Sequence, residues 1–163
     1  MQRKAARHSA VLGRHSMVWW YHIDMKQTDD QWKDQLSQEQ YRVMRKKGTE
    51  VPFSGKYVTS KEPGTYTCTA CGAALFSSTQ KYDSTTPGLI GWPSFEEAIN
   101  SDAVELRQDD SMGMQRTEVV CATCHGHLGH LFDDSSSPNG KHYCINSISL
   151  DFKPESKGSS QKS

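Results

Sequence analysis

Five cysteines are the residues of this 163-residue chain best suited to chemistry, and their spacing sorts them into two groups. Cys68/Cys71 and Cys121/Cys124 are Cys-x-x-Cys pairs, the spacing that structural zinc sites use. Four thiolates make a closed tetrahedral set with no position left for a substrate, so such a zinc would be structural. The two pairs lie farther apart than those of a small zinc ribbon, and the metal would staple two distant hairpins. Two redox dithiols are the competing reading, but no Lys or Arg stands beside either pair to depress a thiol pKa. Cys144 is left over, in the alternating strand pattern Tyr143-Cys144-Ile145-Asn146-Ser147-Ile148-Ser149-Leu150. It is a candidate nucleophile if a nearby imidazolium lowers its pKa, or else a buried, inert thiol.

Histidines are concentrated just upstream, in His125-Gly126-His127-Leu128-Gly129-His130. No carboxylate sits among the three, so general-acid and oxyanion-type roles are more economical than a second metal site, with exposed turn histidines as the alternative. Strand alternation would put His125 and His127 on one face, although Gly126 and Gly129 interrupt any regular strand. Trp92, between Gly91 and Pro93, is fixed on a bend, where it either fills core or presents an aromatic wall to a small apolar group.

The elements that position these residues are short. Thr28-Asp29-Asp30-Gln31 and Ser37-Gln38-Glu39-Gln40 are capping boxes, each opening a short helix, and Gly48 can close the second in the left-handed conformation. From Pro52 the pattern changes to alternating runs broken by Gly, Pro and Ser, which predicts short antiparallel strands with both cysteine pairs at strand ends. Pro93–Ile99 is expected to add about one helical turn. The expected fold class is mainly β: two antiparallel sheets stapled by the four-cysteine zinc site, with short N-terminal helices. Residues 1–27 read as a flexible or targeting extension, 28–152 as one domain, and 153–163 as a disordered tail without apolar residues after Phe152.

Composition narrows the partners. Lys plus Arg equals Asp plus Glu at 19 each, so no net charge advertises a nucleic acid or an anionic membrane. No apolar run approaches the roughly 20 residues that span a bilayer. A basic start with no acidic residue before Asp24 suits a mitochondrial presequence or a plain extension, giving a cytoplasmic or mitochondrial expectation. The cysteine usage favours metal ligands and a reactive thiol in a reducing compartment over a disulfide framework.

These motifs together resemble the methionine-R-sulfoxide reductases, the B-type methionine sulfoxide reductases. The resemblance rests on Gly48-Thr49-Glu50 with Pro52-Phe53-Ser54-Gly55, both cysteine pairs, Lys81-Tyr82-Asp83-Ser84, Gly91-Trp92-Pro93-Ser94-Phe95, Met114-Gln115-Arg116, His127-Leu128-Gly129-His130 and Tyr143-Cys144-Ile145-Asn146-Ser147. It runs from about Trp32 to Phe152. It implies two antiparallel sheets, Cys144 as nucleophile, His127 and His130 as acid and oxygen-binding imidazoles, Asn146 as a polar group that holds the site, and Trp92 against the substrate S-methyl group. It further implies reduction of methionine-R-sulfoxide through a sulfenic acid, with thioredoxin or a small thiol restoring the cysteine. A monomer is expected. The chain departs from the family pattern twice. Where many members carry a recycling cysteine, it has Thr85–Ile90 without one, about four residues longer than usual, and His142 replaces the arginine common two residues before the nucleophile. His142 is therefore expected to lie near the thiolate as a pH-dependent cation. A different class, a non-catalytic zinc-stapled β module that binds a protein partner with Cys144 structural, is the alternative.

Overall fold

The computed structural model describes residues 27–156. The expected extension over 1–27 and most of the tail, 157–163, fall outside the described residues, Gln27 excepted. Both capping boxes form. Thr28 caps helix α1 (Asp29–Gln35) and Ser37 caps α2 (Gln38–Lys46), each with its reciprocal glutamine bond. The left-handed residue that closes α2 is Lys47 (φ 55°), not Gly48. Gly48 has a different reason to be small: a Cβ there would lie 2.9 Å from the Arg42 carbonyl oxygen that its own N–H bonds.

Among the described residues nine strands follow: β1 (Gly64–Cys68), β2 (Ala74–Ser77), β3 (Lys81–Tyr82), β4 (Ser94–Phe95), β5 (Val104–Asp109), β6 (Arg116–Cys121), β7 (His127–Asp133), β8 (Lys141–Ile145) and β9 (Leu150–Pro154). They form two antiparallel sheets, of order β2-β1-β9 and β3-β4-β8-β7-β6-β5. The fold is therefore mainly β, as the short alternating runs predicted. Within the expected helical turn over Pro93–Ile99, Ser94–Phe95 forms strand β4 instead and no helix follows it, because Phe95 is worth more in the core than in a local turn: it is fully buried, stacked on Phe76 of the other sheet at 4.5 Å. Tyr66 and Tyr143 extend this aromatic seam between the sheets, 5.2 Å from Phe95 and 5.8 Å from Phe76. Strand β9 continues through Pro154, two residues past Phe152.

The helices lie over the cysteine pairs. Trp32, 1% exposed, carries the Arg45 guanidinium 5.0 Å from its ring centre. Arg45 donates to the Cys124 carbonyl, and Gln35 donates to the Ala70 carbonyl, so one helix pair grips both Cys-x-x-Cys turns.

Candidate active site

Four sulfurs meet where β1 and β6 end. The Sγ atoms of Cys68, Cys71, Cys121 and Cys124 all lie within 4.8 Å of one another, and two of the pairs, Cys68–Cys124 and Cys71–Cys121, are 3.6 Å apart. A tetrahedral zinc with bonds of about 2.3 Å places its sulfurs about 3.8 Å apart, so the cluster has the size of a metal site. The four sulfurs do not ionise alike: hydrogen bonds among them push the Cys68 and Cys124 thiols far above their ordinary pKa and leave Cys71 and Cys121 below it. Only a bound cation makes four thiolates compatible at this spacing.

The chemistry of Cys144 is set by register. It pairs with His130 on one side and Ser94 on the other, and the same row runs on to Glu118 beyond His130 and Tyr82 beyond Ser94. Directly opposed residues project from one face of a sheet, so this row lines a single surface. Gly129 makes the close approach possible: a Cβ there would fall 1.9 Å from the Cys144 carbonyl oxygen. Cys144 opens on a cavity of about 140 Å³, together with Trp92, His130, Asn146, Arg116, Phe132, Leu89 and Gly88. A larger cavity, about 540 Å³ between α2 and Ser147–Asp151, does not include the thiol.

His127 reaches this face through an irregularity. The β6–β7 register shifts between Val119 and Val120, leaving Leu128 as an extra residue. A regular strand would send residues three apart to opposite faces, whereas here the His127 and His130 rings stand edge to face at 5.3 Å. Each imidazole is fixed by a carboxylate: His127 Nδ1 lies 2.8 Å from Glu118 Oε1, and His130 Nε2 lies 2.7 Å from Asp109 Oδ2. His127 is buried behind His130, not on the cavity wall, and its Nε2 has no partner among the described residues. Burial lowers its pKa despite Glu118. Burial pushes the Glu118 carboxyl upward, but Lys47 (Nζ–Oε2, 2.9 Å) and His127 leave it lowered overall. Asp109 is held well below the usual carboxylate range by the Ser111 hydroxyl and by His130, and it also accepts from Arg116 at 3.3 Å. His125, expected to share a face with His127, is exposed at φ 59° beside Glu105.

Asn146 and Trp92 are tied together through Glu50. Asn146 accepts from the Glu50 N–H and donates to the Leu128 carbonyl, while the Trp92 indole N–H donates to the Glu50 carbonyl. The Glu50 carboxylate accepts from the Ser147 and Ile148 amides, which fixes the chain just after Asn146.

His142 stands differently from its expectation. It is fully buried, 2.9 Å from Asp134 through Nδ1, and it does not line the Cys144 cavity; burial lowers its pKa. The cation on the cavity wall is the Arg116 guanidinium. Asp134 also collects hydroxyl bonds from Tyr82, Ser84, Thr86 and Ser136, so one buried carboxylate pins the Thr-containing loop that carries Gly88 and Leu89 over the cavity. Its own burial favours the neutral acid, but these donors hold it far below its ordinary pKa. Among the described residues no imidazolium lowers the Cys144 pKa: burial, with a smaller contribution from the Glu50 carboxylate, pushes its thiol up to about 12.

Sequence reasoning missed Asp109, Glu118, Arg116, Glu50 and Asp134. Only Arg116 and Glu50 had a signal, since both sit within quoted motifs; the other three carboxylates stand outside those motifs, and their partners are brought by the fold.

A mainly β scaffold with a four-thiol cluster and a cysteine facing a carboxylate-held histidine and a tryptophan defines a thiol-dependent oxidoreductase. Residues 36–154 match the SelR domain. The chain is 53% identical over 134 residues to the peptide methionine sulfoxide reductase MsrB of Methanosarcina barkeri, covering 82% of this chain and 92% of that protein. It is 52% identical to the protein of the same name from Thiobacillus denitrificans over 81% of this chain and 97% of the relative. The corresponding Leptospira interrogans protein is 48% identical, over 81% and 98%. This chain belongs to the SelR-domain family of methionine-R-sulfoxide reductases.

Proposed function

We propose that the chain reduces the R epimer of methionine sulfoxide in peptides and proteins, with Cys144 as nucleophile and oxidative damage repair as the consequence. The observation that carries this is the shared cavity of Cys144, His130 and Trp92. The Cys144 sulfur attacks the sulfoxide sulfur, the S–O bond breaks, and oxygen passes to cysteine: thiol plus sulfoxide gives sulfenic acid plus thioether, two electrons moving from Cys144 to the substrate sulfur. With Asp109 occupying Nε2, His130 Nδ1 is the nitrogen left for the sulfoxide oxygen, and Arg116 adds a cation to the same wall. Because Cys144 begins as a thiol, its proton leaves as the sulfur attacks and ends on the transferred oxygen. Trp92 receives the S-methyl group, Asn146 positions the segment after Cys144, and His127 positions His130 from behind. The handedness of this arrangement around sulfur selects one epimer.

Zinc is the metal the four thiolates fit, and bound there it holds the two Cys-x-x-Cys turns together. Two external thiols, from thioredoxin or a small molecule, convert the sulfenic acid back to thiol, forming a disulfide and water. We retain a monomeric enzyme with residues 1–27 as a flexible or targeting extension; among the described residues no helix is long and apolar enough to cross a membrane.

The test is turnover of each epimer of a methionine sulfoxide peptide with dithiothreitol. The R epimer should be consumed and the S epimer spared, and Cys144→Ser should abolish turnover while fold and metal content persist. A Cys144→Ser protein that keeps its activity would remove Cys144 as the nucleophile, and a parent protein that turns over neither epimer would return the chain to the non-catalytic binding module.

A further inference from the structure

The Cys144 cavity has a neighbour. A second cleft of about 290 Å³ is lined by Phe53, Val58, Tyr82, Ile90 and Trp92, with the Lys61–Asp83 ion pair alongside. The loop that precedes Trp92 is the wall between the two: Gly88 and Leu89 line the Cys144 side, Ile90 and Gly91 line the other, and Trp92 lines both. Two large apolar side chains are left uncovered in this second cleft, Phe53 at 67% exposure and Ile90 at 43%.

Phe53 is displayed at a conformational cost. Its φ of 63° is an outlier for a bulky residue, and such strain persists only where the surroundings over-determine it. Here the Phe53 N–H donates to the Gly91 carbonyl at 2.8 Å. Gly91 itself sits at φ 113°, where a Cβ would come 2.9 Å from Pro52 Cβ. The strained backbone thus locks the exposed ring to the segment that carries Trp92.

We propose that this cleft binds the residue next to methionine sulfoxide in a polypeptide substrate, taking an apolar side chain against Phe53 and Ile90. The inference rests on the reading of the chain as a peptide methionine sulfoxide reductase. Covalent continuity names the occupant: a cavity of about 140 Å³ holds little more than the sulfoxide side chain, and the next residues follow at about 3.8 Å per Cα step. Because the two cavities share Trp92 and are parted by the 88–91 loop, a polypeptide leaving the Cys144 cavity over that loop enters the second cleft. Once the sulfoxide is seated, its neighbour is present at high effective concentration, so a shallow apolar cleft suffices.

The experiment compares N-acetyl-methionine-R-sulfoxide amide with two pentapeptides, one with leucine and one with serine flanking the sulfoxide, all with dithiothreitol. The parent should favour the leucine peptide in KM. In Phe53→Ser, and separately in Ile90→Asn as a second variant should either fold poorly, the ratio of kcat/KM between leucine peptide and amide should fall about tenfold, with the change in KM. An unchanged ratio in both variants overturns the subsite. So does a deficit that appears only with thioredoxin in place of dithiothreitol, which would make the patch a landing place for the reductant. If the parent turns over neither amide nor peptide, the reductase reading itself fails, a result distinct from an unchanged ratio.

Discussion

The protonation of Cys144 is the sharpest consequence of the geometry. Burial and Glu50 place its pKa at about 12, whereas a free cysteine titrates near 8.5. At pH 7 only about one Cys144 in 100,000 would be ionised, against about 3% of a free thiol, a deficit of ~3.5 log units. A more basic thiolate is also a better nucleophile, and a Brønsted coefficient of about 0.45 returns ~1.6 of those units. Iodoacetamide should therefore alkylate Cys144 in the metal-loaded protein about a hundredfold more slowly than an unhindered thiol at pH 7. The rate should climb nearly tenfold per pH unit beyond pH 9. Glu50→Gln, which removes the second cause, should move the climb to lower pH. Mass spectrometry of the Cys144 peptide after timed quenching reads the rate directly. Rapid alkylation that levels off below pH 9 would refute the reasoning, since it would require a thiolate stabilised against both burial and the Glu50 carboxylate. Turnover near neutral pH despite slow alkylation would accord with transfer of the thiol proton to the sulfoxide oxygen during attack.

Other expectations follow from the same structure. His127 and His142 both have folded-state pKa values lowered by burial, so their contribution is complete above about pH 6.5 and is lost as pH falls through that value towards the folded ones. Stability should fall by up to about 1.4 kcal/mol per pH unit for each histidine below pH 6.5, seen as a declining Tm; an unchanged Tm from pH 7.5 to 5 would contradict it. Cys71→Ser should lose the metal and leave a poorly folded chain, since structural zinc contributes on the order of 10 kcal/mol in small domains, as elemental analysis and circular dichroism will report. Thr86→Val deletes a 2.6 Å bond to the Asp134 carboxylate, worth about 1.5–3 kcal/mol, and should loosen the loop over the cavity, raising KM more than it lowers kcat. With excess sulfoxide and no reductant, intact-mass measurement should show one added oxygen on Cys144 and full metal retention; a loss of two hydrogens with metal release would identify a cluster cysteine as a resolving thiol instead.

The local devices were legible in the sequence because each depends on residues a few positions apart. Capping boxes at Thr28 and Ser37 and cysteine pairs at strand ends are short-range chemistry and were found where expected, whereas the alternating run from Tyr143 stays in strand β8 only to Ile145 and then turns through a 3-10 helix over Ser147–Ser149. Phe95 and Lys47 were misread for the converse reason: a stacking contact across the sheets and a left-handed closure by a residue other than glycine are tertiary choices that override local preference. The motifs named Cys144, His127, His130, Trp92 and Asn146, but not how they stand to one another. That was decided by pairing across β4, β8, β7 and β6, by an extra residue at Leu128 that turns His127 towards His130, and by carboxylates that arrive from distant segments. The electrical state of the site was decided last. Whether Cys144 is a thiol or a thiolate, and whether His142 carries charge, depends on how much water the folded chain excludes from each, a quantity that spacing along a sequence does not contain.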